Sequence, residues 1–256
     1  MKVIDRLKGR REAAQVRERA LHDLGGRDAA LASVVAAYGV QPDDPAVKQW
    51  TDRLEARRAA LLASGEPVEL DFADGPTTST VAEVCSRTSK NAAYCRVLLQ
   101  LARIEAPAAC IEMGTSIGMS GSYLAAGLKL SGAGGRLVTL DRQEHVAAVV
   151  RRDFDALGLD NVEIVLGRFD QTLPDVLARN APIGLLFIDG NHHEEPTLRY
   201  FESSLPHLTP DAVVVFDDIA WSDGMKNAWA RLRAHDAVAV SATLGAIGIV
   251  RVKPQR

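Results

Sequence analysis

The chain has 256 residues, of which 47% are hydrophobic and 25% charged, and its formal net charge is −3. This is ordinary globular composition, long enough for one α/β domain plus an extension, and it leaves no electrostatic footprint for nucleic acid or an anionic membrane. No apolar run reaches the length of a membrane span, and Cys85, Cys95 and Cys110 lack C-x-x-C spacing, so the expectation is a cytoplasmic protein with reduced thiols rather than a disulfide or zinc scaffold.

Residues 1–24 read as a charged helix. Val3, Ile4, Leu7, Ala14, Val16, Ala20 and Leu21 make a thin apolar stripe, and Arg6, Lys8, Arg10, Arg11, Arg17 and Arg19 give it a basic cast. Interleaved acids make a solvated face the ordinary reading, with an arm packed on a partner subunit, and hence a homodimer, as the alternative. The basic opening has no apolar segment behind it, so secretion is not expected. Gly25-Gly26 ends this helix, a second spans 28–38, QPDDP at 41–45 breaks the chain, and a third helix spans 46–64. Gly65, Pro67, Gly75 and Pro76 mark turns around a short strand at 68–72. The domain boundary is placed there, giving a helical extension at 1–75 and a main domain at 76–256. Ser89 is the expected N-cap of a helix at 91–102.

From residue 108 strands and helices alternate. Short apolar runs at 108–113, 137–141, 162–166, 184–188 and 212–217 read as strands buried on both faces, hence parallel and covered by helices. Two more strands, at 236–242 and 246–252, follow a helix near 224–234. The expected class is α/β, a Rossmann-like, doubly wound, mostly parallel seven-stranded sheet with an N-terminal helical extension.

The organising stretch is AACIEMGTSIGMS at 108–120, a strand running through a glycine turn into a helix. Strand ends of this kind bind nucleotides in open α/β sheets. The pattern is E-x-G-x-x-x-G-x-S, not the G-x-G-x-x-G of dinucleotide folds, which weighs against a nicotinamide oxidoreductase. Residues 112–120 resemble motif I of class I S-adenosylmethionine-dependent methyltransferases, closest to the catechol-type, metal-dependent O-methyltransferases, and the resemblance extends over about 80–252. It implies that Glu112, Gly114, Thr115, Ser116, Gly118 and Ser120, together with Asp141, Arg142, Arg168, Phe169 and Asp189, hold the cofactor. Asp141 closes the second strand, where an acid can accept from two ribose hydroxyls. Arg168 stands where the family carries an acid near the adenine; Phe169 stacking and Asp170 are the substitutes.

Asp189 ends the fourth strand and Asp217-Asp218 end the fifth, so the three carboxylates should converge. They would repel one another unless something positive sat among them. A hard divalent cation, magnesium above all, satisfies them best, and the resemblance assigns these positions to the metal. His192 lies three residues after Asp189, where catechol-type enzymes carry a lysine base; histidine there resembles the macrolide-sugar O-methyltransferases and suits proton removal near neutral pH. The expected activity is divalent-metal-dependent O-methylation of a small-molecule hydroxyl (natural product, sugar or phenol). A non-catalytic binding protein of the same fold and an N-methyltransferase are the alternatives, although N/D-P-P-Y/F is absent.

Overall fold

The computed structural model describes residues 2–72 and 75–254, with the side chains of 2–8, 10 and 72 outside that description. The Val3, Ile4 and Leu7 part of the apolar stripe, with Arg6, Lys8 and Arg10, therefore lies outside the described residues.

Three helices open the chain: α1 (Lys2–Leu24), α2 (Ala29–Ala36) and α3 (Pro45–Leu62). Asp28 caps α2 by accepting the Leu31 N–H at 2.9 Å, and Asp44 caps α3 from the Ala46 and Val47 N–H groups, with Pro45 in the first turn. The QPDDP segment thus breaks one helix and starts the next. β1 (Pro67–Phe72) pairs antiparallel with β2 (Gly75–Thr80), a strand whose GPTTST sequence has threonines but no apolar alternation. Thr80 and Glu83 form a capping box on α4 (Val81–Thr88).

Ser89 is not an N-cap. It closes α4, and Asn91 caps α5 (Ala92–Glu105) by accepting from Ala93 at 2.9 Å and Tyr94 at 3.2 Å. Two capping residues lie close together in SKN, and the side chain nearer the new helix reaches its free N–H groups.

The α/β unit follows as β3 (Ala109–Met113), α6 (Met119–Ser131), β4 (Arg136–Asp141), α7 (Glu144–Leu157), β5 (Val162–Leu166), α8 (Phe169–Asn180), β6 (Ile183–Ile188), α9 (Glu194–Ser204), β7 (Leu208–Phe216), α10 (Asp223–Arg233), β8 (Val238–Leu244) and β9 (Ile247–Val252). The sheet order is β5-β4-β3-β6-β7-β9-β8, with β9 antiparallel to both neighbours and the other pairings parallel. This is the expected α/β class. The strand order reverses between β3 and β6, which opens a crevice at their carboxyl ends.

Two apolar cores cover the sheet. Cys110, Leu137, Phe187 and Val215 face α5, α6 and α7, whereas Ile111, Val138, Leu186 and Val214 face α8, α9 and α10. The extension joins the first core: Ala20 and Leu24 of α1 and Leu54 of α3 are fully buried. Polar ties fix it further. Thr243 N–H donates to Asp23 at 3.0 Å, Tyr123 donates to Glu55 at 2.6 Å, and Arg251 joins Asp28 to Glu105. The N–H of Asp71 donates to Gln143 Oε1 at 2.7 Å while Gln143 Nε2 returns a bond to the Asp71 carbonyl at 2.9 Å, stitching β1 to the start of α7. Among the described residues no helix is long and apolar enough to cross a membrane.

Candidate active site

The crevice at the strand-order reversal is a cavity of about 580 Å³, within the range of small-molecule sites. The loop after β3 forms one wall. Gly114 sits at φ +112, and a Cβ there would overlap the Asp189 carbonyl of the neighbouring strand end. Only glycine lets the two backbones meet at this point. Ser116 follows at φ +43, its N–H donating to Asp141 Oδ2 at 2.7 Å. Asp141 Oδ1 accepts from Gln143 at 3.0 Å, so the carboxylate also tethers the turn into α7. It still lines the cavity, where remaining lone pairs can accept from hydroxyls.

Of the residues expected to hold the cofactor, Gly114, Ser116, Asp141, Arg142, Arg168, Phe169 and Asp189 line the cavity. Glu112, Thr115, Gly118 and Ser120 are not among its lining residues. Glu112 is fully buried on the α6 side of β3, accepting from Thr139 at 2.6 Å, and Thr115 in turn contacts Thr139 at 2.7 Å. The even-numbered residues of β3 face the first core, so the motif's acid supports the loop from beneath. Gly118 opens α6, and a Cβ there would strike Val150 at 2.6 Å; Ser120 is buried in the first turn of α6, hydrogen-bonded to Glu112. Phe169 both packs and lines: it begins α8, meets Tyr200 edge-on at 6.0 Å, and leaves no room for a side chain at Gly190.

The opposite wall carries the titratable groups. His192 Nε2 lies 3.6 Å from Asp189 Oδ1 and 3.9 Å from Asp218 Oδ2. Burial lowers its pKa below the usual histidine value, and the opposing pull of Asp218 and Asp217 does not offset this. His193 occupies the N-cap position of α9, exposed and without a capping bond. Asp218 adopts φ +50, left-handed for a non-glycine residue, which aims its carboxylate into the cavity at some backbone cost. Asp217 is 1% exposed and receives no hydroxyl or backbone donor. Burial, then the neighbouring Asp217, raises Asp189 well above the usual carboxylate range.

The three carboxylates do converge, but around a side chain of this protein. The Lys90 ammonium pairs with Asp217 Oδ2 and, at 2.9 Å, with Asp218 Oδ1. Burial works against that charge, yet Asp217 and Asp189 outweigh it and hold the Lys90 pKa above its ordinary value. Among the described residues no group of three or more His, Cys, Asp or Glu forms a metal-holding cluster. In the expected magnesium set of Asp189, Asp217 and Asp218, the Lys90 ammonium thus lies against two of the three carboxylates and already balances part of the charge a divalent ion would meet there. Nothing in SKN links Lys90 to the ends of β6 and β7, and only the fold brings it against Asp217 and Asp218. Arg87, Thr88, Asn191 and Tyr200 also line the cavity.

Residues 111–219 match a family model described as a methyltransferase domain. A catechol O-methyltransferase from Niastella koreensis is 32% identical over 111 residues, covering 43% of this chain and 48% of that protein, so the alignment spans less than half of the relative's length. The fold is that of the Rossmann-like methyltransferases. Cofactor-bound Rv0187 from MTB superposes with a TM-score of 0.60 at 23% identity, over 87% of this chain and 96% of the other. The Bacillus cereus O-methyltransferase in complex with SAH gives 0.56 at 21% identity, over 84% and 94%. The resemblance carried by residues 112–120 agrees with the methyltransferase-domain match over 111–219.

Proposed function

We propose that the chain is an S-adenosylmethionine-dependent O-methyltransferase acting on the hydroxyl of a small molecule: a natural product, a sugar or a phenol. The carrying observation is one cavity in which Asp141 and the bare backbone of Gly114 stand on one wall and His192 on the other. The residues suit the cofactor. Asp141 offers acceptor oxygens to a ribose diol, Phe169 offers an apolar ring, and Gly114 keeps side chains out of the path. Bound there, S-adenosylmethionine supplies an electrophilic methyl group on a sulfonium.

The protein's own task is then positioning and proton removal. His192, kept neutral by its burial, accepts the acceptor's hydroxyl proton at Nε2, and Asp218 is close enough to steady the imidazolium that results. Trp221, 75% exposed three residues after Asp218, is in this reading the apolar edge that meets the acceptor.

Calorimetric titration with S-adenosylmethionine, followed by transfer of a labelled methyl group to a panel of phenols, sugars and hydroxylated natural products, tests the reading. Binding and at least one O-methylated product are expected; a chain that binds no methyl donor contradicts it.

A further inference from the structure

We propose that Lys90 is the resident cation of the acceptor pocket, occupying the position that three strand-end carboxylates define and holding the acceptor's oxygen in its deprotonated form without a divalent metal. This deepens the O-methyltransferase reading and rests on it for its chemistry; the occupancy of the cation position stands independently of it.

Three observations meet at this residue. The ammonium contacts Asp217 and Asp218 at once, at the lip of the cavity that both Lys90 and Asp218 line. Its side chain is only 18% exposed, and its backbone is fixed where Asn91 starts α5, with the Lys90 carbonyl also accepting from Cys95 Sγ at 3.4 Å. Asp217 is almost wholly buried with no hydroxyl or backbone donor, so the lysine is its compensation; a buried carboxylate without one would be severely penalised.

Asp218 links the charge to the base. Its Oδ1 faces Lys90 at 2.9 Å and its Oδ2 faces His192 at 3.9 Å. A hydroxyl entering between Lys90 and His192 meets a cation and a proton acceptor together. The hydroxyl proton passes to His192, an oxygen lone pair forms the new O–CH3 bond, and the C–S bond of the sulfonium donor breaks with its electrons retained on sulfur. Lys90 keeps its proton throughout and serves as a fixed charge opposite the developing oxyanion.

Manganese(II) titration of the full chain, read by electron paramagnetic resonance, tests the assignment without any turnover. The wild type should leave the free-ion spectrum undiminished at one equivalent. Lys90→Met, which keeps the apolar stem but removes the charge, should bind one ion per chain at least roughly tenfold more tightly, because two carboxylates lose their counter-ion. Lys90→Gln is the parallel variant should the first fail to fold. One tightly bound ion in the wild type, or variants as blind to the ion as the wild type, would overturn the proposal. With an acceptor in hand, wild-type turnover should persist in chelator, and Lys90→Arg should keep more of it than Lys90→Met. Turnover abolished by chelator and restored by magnesium would equally overturn it. S-adenosylmethionine calorimetry on the same samples separates the two ideas: a chain that binds no donor defeats the proposed function, while the manganese result still decides Lys90.

Discussion

Asp141 at the end of β4 accepts the Ser116 N–H at 2.7 Å, so a single carboxylate ties the second strand of the α/β unit to the loop that follows the first. Asp141→Ala should weaken S-adenosylmethionine binding by roughly 10- to 100-fold, the worth of one or two hydrogen bonds to a charged group. Calorimetry measures it directly. Unchanged affinity would remove Asp141 from the cofactor's contacts and leave it a loop tether alone.

Gly114 should tolerate no side chain. Gly114→Ala places a Cβ against the Asp189 carbonyl in a backbone region that alanine avoids. We expect a stability loss of about 2 kcal/mol or more together with loss of donor binding, read by thermal melting and calorimetry. A variant with wild-type melting and affinity would show that β3 and β6 can part at no cost.

His192→Ala should reduce kcat by about 10²- to 10⁴-fold with donor affinity unchanged. Because burial lowers the His192 pKa, the base is already neutral at pH 7, and kcat/KM should be flat there and fall only below about pH 6.5. A rate still climbing between pH 7 and 9 would assign the proton to another group.

Glu112 makes stability depend on pH. Burial pushes its carboxyl up to about 7, although Ser120 and Thr139 hydrogen-bond to it. Below the ordinary carboxylate value both folded and unfolded chains hold the proton, and nothing is lost. As pH rises toward 7 the unfolded chain ionises while the folded one resists, so stability declines across that window by up to about 3 kcal/mol. Glu112→Gln should therefore melt higher relative to wild type at pH 8 than at pH 4.5. A difference that does not vary with pH would show that Glu112 ionises freely in the fold.

The parallel strands were legible because they are short apolar runs followed by glycine or an acid, and their spacing leaves room for one helix each. β2 was not, since GPTTST forms a strand only by pairing with β1. Gly114, Asp189, His192 and Asp218, on loops past a strand end, and Asp141, the last residue of β4, were legible as neighbours of one crevice, and all five line the cavity. The burial of Glu112 was not legible, because alternation along β3, invisible in a run buried on both faces, decides which core an acid enters. Lys90 was missed because its partners are brought to it only by the packing of α5 beside the sheet.

The paired bonds between Asp71 and Gln143 have an architectural price. Gln143 lies two residues beyond Asp141, so the chain's first eighty residues are riveted next to the carboxylate proposed to grip the ribose. Grafting a different leading segment onto this sheet, as a route to new acceptors, would have to recreate that rivet or accept a loosened grip on the donor.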